Sequence, residues 1–154
     1  MGSKDYLNSL ELLNNYAATL AKNSLSDIND GQYCFEDVLD DGQGNNDIVI
    51  RVKVSFTAGQ IALDFTGSAK QVAGNINCPL SVTAAEVYSF FRCLMPSQTP
   101  ECAGSFRHIS ILAPEGTVVT ASFPVSAEAG EVETSTAIVY LVIGALAAAS
   151  PEKY

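Results

Sequence analysis

Ile48, Ile50, Val52, Val54 and Phe56 alternate with Val49, Arg51, Lys53 and Ser55. Successive side chains leave a pleated backbone on opposite sides, so this period of two commits the stretch to a strand with one buried and one wet face. Ala58-Gly59-Gln60 then turns the chain, and Ile61, Leu63 and Phe65 resume the alternation. The pair predicts a β-hairpin. Tyr33 and Phe35, set against Cys34 and Glu36, predict a strand before it. Phe106 to Leu112 predicts one after it, and Val118 to Ala121 would be that strand's partner beyond the turn at Pro114-Glu115-Gly116.

The helical signals flank these strands. Leu10, Leu13, Ala17 and Leu20 recur at three- to four-residue spacing, with Tyr6 one turn earlier, and predict an amphipathic helix with one buried stripe. Thr83-Ala84-Ala85-Glu86 fits a capping box with Val82 and Val87 as its staple, and predicts a helix running to about Met95, where Pro96 helps end it. Its polar positions Thr83, Glu86, Ser89 and Arg92 form one stripe, so most of its circumference is expected to be buried. A last helix starts near Glu133 or Thr134 and runs to Ala149, with Ser150-Pro151 as its stop. It is apolar on nearly every side, which predicts an exposed apolar patch that meets a partner, a missing piece of the same protein or a second copy. The fold class expected is α+β, an antiparallel sheet with about three helices packed on it.

With 154 residues the chain is expected to fold as one domain, residues 5–154, behind a vector-like scar at 1–4 beginning Met1-Gly2-Ser3. The net charge is −9, from 17 acidic and 8 basic residues, and no Lys/Arg cluster stands anywhere, which argues against a nucleic-acid partner. The apolar run from Ala137 to Ala149 is shorter than the roughly 20 residues a bilayer span needs, so no membrane partner is expected. Cys34, Cys78, Cys93 and Cys102 form no C-x-x-C pair, and no apolar leader precedes them. Free thiols in a cytoplasmic protein are the expectation.

Spacing decides among the candidate sites. A calcium loop counted from Asp37 puts Gly42 at position 6, but Leu39 falls at position 3 and Ile48 at position 12, so a solvated acidic turn is expected instead. His108 has no matched nucleophile motif, and no metal site is expected. Cys78, before Pro79 at a helix start, fits both an activated thiol and a small buried residue. Two Gly-bearing loops run into apolar helices, where unpaired N–H groups can hold polar ligands. One carries Asp64-Phe65-Thr66-Gly67-Ser68 and Gly74-Asn75-Ile76-Asn77-Cys78-Pro79, and the other Gly130-Glu131-Val132-Glu133-Thr134-Ser135. Asn75 and Asn77 fit both a structural loop and a ligand contact. Glu133, Thr134 and Ser135 fit both capping and function.

These same residues carry a family resemblance. Phe35-Glu36-Asp37-Val38-Leu39-Asp40-Asp41-Gly42 resembles an F-E-D-x-L-D-D-x-G segment. Asp64-Phe65-Thr66-Gly67-Ser68, then Gln71-Val72, Gly74-Asn75, Asn77 and Pro79, resemble D-F-T-G-S…Q-V-x-G-x-x-N-x-P. Val82-Thr83, Ala85, Val87-Tyr88, Arg92-Cys93-Leu94, Pro114-Glu115-Gly116 and Gly130-x-Val132-Glu133-Thr134-Ser135 continue in order, followed by Gly144-Ala145 and Ser150-Pro151. The ordered set resembles the hydantoinase B/5-oxoprolinase family, which includes B-type subunits of N-methylhydantoinase, the C-terminal half of 5-oxoprolinase and a subunit of acetone carboxylase. Glu131 stands where the family commonly has Asn, and Thr136-Ala137 where it has Gln-Arg.

The resemblance implies a fragment of a subunit several times longer. It implies ATP-dependent hydrolysis of a cyclic amide, 5-oxoproline or a hydantoin, or else ketone carboxylation. ATP and a divalent metal are implied for the intact complex, with none bound by this fragment, whose isolated activity is not expected. The implied partners are a hydantoinase A-type subunit or domain and the remainder of the same subunit. The substrate- or interface-loop residues it points to are Asn75, Asn77, Glu133, Thr134 and Ser135, with Arg92 as an anion partner or structural ion pair. A purely structural assembly domain is the other reading.

Overall fold

A computed structural model describes residues 2–41 and 43–149. The expected helix stop at Ser150-Pro151, Met1 and the turn glycine Gly42 lie outside the described residues. Helix α1 is Ser3–Leu25. Strands β1 (Gly31–Leu39), β2 (Ile48–Thr57) and β3 (Gln60–Asp64) follow, then α2 (Leu80–Leu94), β4 (Ile109–Leu112) and α3 (Glu133–Ala149). Single 3-10 turns at Ala103–Phe106 and Ala129–Glu131 lead into β4 and α3.

The strands form one sheet in the order β1-β2-β3-β4. The hairpin forms as the alternation dictates. Ile48, Ile50, Val52, Val54 and Phe56 are buried, and so are Ile61, Leu63 and Phe65. Its two-residue turn puts Ala58 at φ +50° and Gly59 at φ +77°, the left-handed pair that matches strand twist. The sheet is mixed, not wholly antiparallel: β4 pairs parallel to β3, with Ile61 opposite Ile109. A parallel neighbour needs a long crossover, and the chain between β3 and β4 supplies one through α2. Val118 to Ala121 is therefore not a strand partner of β4. It bonds instead to the loop after β3: Val118 N–H to Ala69 C=O at 3.0 Å, and Cys78 N–H to Val118 C=O at 2.7 Å.

The three helices build the other layer, and three helical expectations change. In α1 only the C-terminal half is buried, at Ala17, Ala18, Ala21 and Leu25, while Tyr6, Leu10 and Leu13 stand exposed. Helix α2 begins at Leu80, so Thr83 lies inside it and caps nothing. Its hydroxyl donates to the Val119 carbonyl at 2.6 Å, a buried acceptor that outcompetes a cap. Only Thr83, Val87 and Phe91 of α2 are fully buried, a narrower stripe than its composition suggests. Helix α3 buries nine of its residues under the sheet and α2, leaving Tyr140 and Ile143 exposed beside β1. The stretch Ala129–Ala149 has the length and hydropathy of a membrane span, but half of it is buried within the fold, as in a core helix.

Candidate functional site

The two Gly-bearing loops meet. Gly130 N–H donates to the Asn75 carbonyl at 3.1 Å. A Cβ at Gly130 would overlap the Asn77 carbonyl oxygen, so only glycine lets the loops come this close. Thr134, on the first turn of α3, donates its hydroxyl to the Ile76 carbonyl. Asn77 is fully buried. Its Oδ1 accepts from Val72 N–H at 2.8 Å, and its Nδ2 donates to the carbonyls of Val72, Gly74 and Ser126 at 2.8–2.9 Å. One amide thus satisfies the backbone of a loop that no regular ladder covers.

A third segment joins them. Asp41 accepts from the N–H groups of Gln43 (2.8 Å) and Asn45 (3.0 Å) and from the Asn45 side chain (2.5 Å). The Asn45 amide holds the Asp41 carboxyl below the ordinary carboxylate range. Asp41 Oδ2 lies where a Cβ of Gly74 would be, which ties the acidic turn to the Asn75–Asn77 loop. Three segments that stand far apart in sequence therefore form one junction.

Six residues were expected at a site, and the structure divides them. Asn77 and Thr134 are buried and spent on backbone. Ser135 donates to the Glu131 carbonyl at 2.8 Å, within its own helix turn. Asn75 is half-buried at the junction. Glu133 is exposed, and among the described residues its carboxylate has no hydrogen-bond or ion-pair partner. Arg92 lies elsewhere, at the far end of α2, roughly 18 Å along the helix from its start. Its guanidinium donates to the carbonyls of Pro96 (3.4 Å), Ser97 (3.5 Å) and Thr99 (3.0 Å), so it closes the C-terminal turn of α2.

Beside the junction a groove of about 270 Å³ opens between β1 and α3. Glu133 and Asp37 line it, with Leu39, Thr136 and Tyr140. The sequence did not mark Asp37 or Tyr140 as groove residues. Asp37 sits in the F-E-D string, but only the pairing of β1 beneath α3 brings it opposite Glu133. Cys78 is not an activated thiol: burial pushes it up from its ordinary value, and it packs 3.6 Å from Thr83 Oγ1. Among the described residues no three His, Cys, Asp or Glu side chains converge as a metal site.

The profile described as Hydantoinase B/oxoprolinase matches residues 1–154. The chain is 33% identical over 115 residues to 5-oxoprolinase 1 of Arabidopsis thaliana, covering 73% of this chain and 9% of that one. It is 31% identical over 126 residues to a D-/L-hydantoinase B-type subunit of a Pseudomonas strain, covering 74% of this chain and 21% of the relative. An uncharacterised Methanocaldococcus jannaschii protein is 30% identical over 90% of this chain and 24% of its own length. The chain thus spans about a quarter or less of the curated relatives it matches. The fold is shared with the ATP-dependent caprolactamase of Pseudomonas jessenii at TM-score 0.79 and 24% identity, over 99% of this chain and 26% of that one. It is also shared with nucleotide-free acetone carboxylase at TM-score 0.74 and 15% identity, over 87% of this chain and 20% of that one. The profile covers the whole chain, and the chain belongs to the hydantoinase B/oxoprolinase family.

Proposed function

We propose that this chain is a segment of a longer ATP-dependent enzyme that opens a cyclic amide, 5-oxoproline or a hydantoin, and that it supplies the loop junction and the groove beside it. The observation that carries the reading is the unpartnered Glu133 carboxylate at the start of α3, which lines that groove together with Asp37. A lactam or hydantoin ring offers an N–H donor and an apolar edge. Glu133 can accept that N–H, and Leu39 and Tyr140 can pack the ring. Glu133, Asn75 and the junction would then orient the ring while the amide oxygen takes the terminal phosphoryl group of ATP with release of ADP, water attacks the carbonyl carbon, the ring C–N bond breaks with a proton taken up by the nitrogen, and the phosphate is lost as the carboxylate forms. In this reading ATP, the metal and the partner A-type subunit or domain are provided by the rest of the assembly. Arg92 belongs to the fold in this reading.

The test is Glu133→Gln in the full-length protein, assayed for substrate-dependent ADP release with 5-oxoproline and hydantoin. A fall in kcat/KM of about tenfold or more with unchanged subunit association is expected. Unchanged turnover with lost association would favour a pure assembly domain, the reading motivated by exposed Tyr140 and Ile143.

A further inference from the structure

The groove beside the junction has two walls, and neither carries a positive charge. Strand β1 reads Gly31-Gln32-Tyr33-Cys34-Phe35-Glu36-Asp37-Val38-Leu39, and α3 from Glu133 to Ala149 holds no Lys, Arg or His. Two carboxylates, those of Asp37 and Glu133, line the space between them.

The pleat explains why the neighbouring strand does not compensate them. Residues directly opposite in an antiparallel pair share a face. Asp37 lies opposite Ile50 and Leu39 opposite Ile48, and both isoleucines are buried in the core that the sheet shares with α3. Arg51 and Lys53, the two basic residues of β2, alternate with the buried positions and so stand on the other face. Each is paired there, Arg51 with Glu36 at 2.6 Å and Lys53 with Asp64 at 3.5 Å. Among the described residues none that lines the groove is basic.

The positive groups that remain are small. The start of α3 presents a helix dipole worth about half an elementary charge, and Glu133 in the first turn already answers it. The Thr136 hydroxyl is spent on the Val132 carbonyl at 2.6 Å, which leaves the Tyr140 phenol as a side-chain donor in the lining. Two full negative charges outweigh that half charge and one phenol. A further anion about 10 Å from one carboxylate, at an effective dielectric of about 20, loses roughly tenfold in binding. The two rings differ on this point. 5-Oxoproline carries a carboxylate at neutral pH, whereas hydantoin carries none and offers two N–H donors.

We propose, on the reading that this groove holds the ring, that it takes uncharged cyclic amides and turns away rings bearing a carboxylate, with Asp37 as the specificity-determining residue. Of the two rings, hydantoin fits and 5-oxoproline does not. The test uses the full-length protein and two matched pairs that differ in charge: 5-oxoproline against 5-oxoprolinamide, and hydantoin-5-acetate against its amide. Substrate-dependent ADP release gives kcat/KM for each. The amide of each pair is expected to be used better by about tenfold or more, chiefly through KM. Raising NaCl from about 0.02 to about 0.5 M should narrow that ratio, because salt screens the repulsion. Asp37→Asn should narrow it by about threefold or more, and Asp37→Lys should close or invert it. A ratio within one pair cancels any general damage done by the substitution, so it reads charge and not folding. Carboxylates used as well as their amides, or a ratio indifferent to both Asp37 variants, would overturn the proposal. If Glu133→Gln still lowers turnover in that case, the groove remains the ring site and only the charge filter is wrong. If Glu133→Gln leaves all four compounds unaffected, or none of the four is turned over, the ring site and the charge filter fall together.

Discussion

Asn77 spends its whole side chain on backbone, and that fixes what its replacement does. Alanine leaves one buried N–H and three carbonyls short of a partner. Each such group costs about 1–3 kcal/mol, less where water reaches it. Asn77→Ala is expected to lower stability by about 3 kcal/mol or more in urea unfolding. Asn77→Asp should be no better, because a carboxylate oxygen would then face the carbonyls of Val72, Gly74 and Ser126. An aspartate variant of native stability would refute this bonding scheme. The sequence marked Asn77 as a loop residue of double meaning, but order along a chain carries no distance, so its role waited on Ser126 being beside it. His108 is a second residue with a measurable signature. Burial, then Lys22 and Arg107, hold its folded pKa below the ordinary value of about 6.5. Its ring Nδ1 lies 2.7 Å from Gln60 Nε2, and the neutral ring can accept from that amide. The unfolded chain therefore binds the proton more tightly. The stabilisation is complete above about pH 6.5 and is lost as pH falls toward the folded value. The urea midpoint is expected to drop between pH 7 and pH 5 in the native protein, and this part of the drop should vanish in His108→Gln.

At the scale of elements, local rules decided what could be read in advance. The β2–β3 hairpin was legible because alternation and a turn glycine agree, and the start of α3 was legible from Glu133 and Thr134. The capping box at Thr83 misled because a local pattern lost to a tertiary acceptor, the Val119 carbonyl. The parallel β3–β4 pair was invisible for a related reason. Its register depends on where α2 deposits the chain, not on anything within Ile109–Leu112. The buried stripe of α1 failed in its first half because the periodicity of Tyr6, Leu10 and Leu13 says that a face is apolar, not that anything lies on it. The hairpin turn also carries a correctable cost. Ala58 sits at φ +50°, a left-handed conformation that disfavours Cβ-bearing residues by roughly 1–2 kcal/mol and is eased for Asn. Its side chain is exposed and its N–H bonds Asp30 Oδ1 at 2.9 Å, an interaction the backbone keeps whatever the side chain. Ala58→Asn is expected to raise stability by about 0.5–1 kcal/mol in thermal or urea melts. A loss of stability would show that this turn is held by something other than its dihedral preferences.

For the molecule as a whole the excess of acid outweighs the ion pairs. The three ion pairs among the described residues are Arg51–Glu36, Lys53–Asp64 and Arg107–Glu11, and most of their side chains stand well exposed. Pairs of that kind are worth about 0–1 kcal/mol each, and salt weakens them. Against them stands the mutual repulsion of a surplus of nine negative charges on a chain of 154 residues, which favours the expanded state and is also weakened by salt. The two screenings pull in opposite directions, and their balance is measurable with urea, an uncharged denaturant. Long-range repulsion among many exposed carboxylates is screened more completely than contacts at 2.6–3.7 Å. The urea midpoint should therefore rise when NaCl goes from about 0.02 to about 0.5 M. A midpoint that fell with salt would mean that the few ion pairs, Arg51–Glu36 above all, matter more to this fold than its net charge.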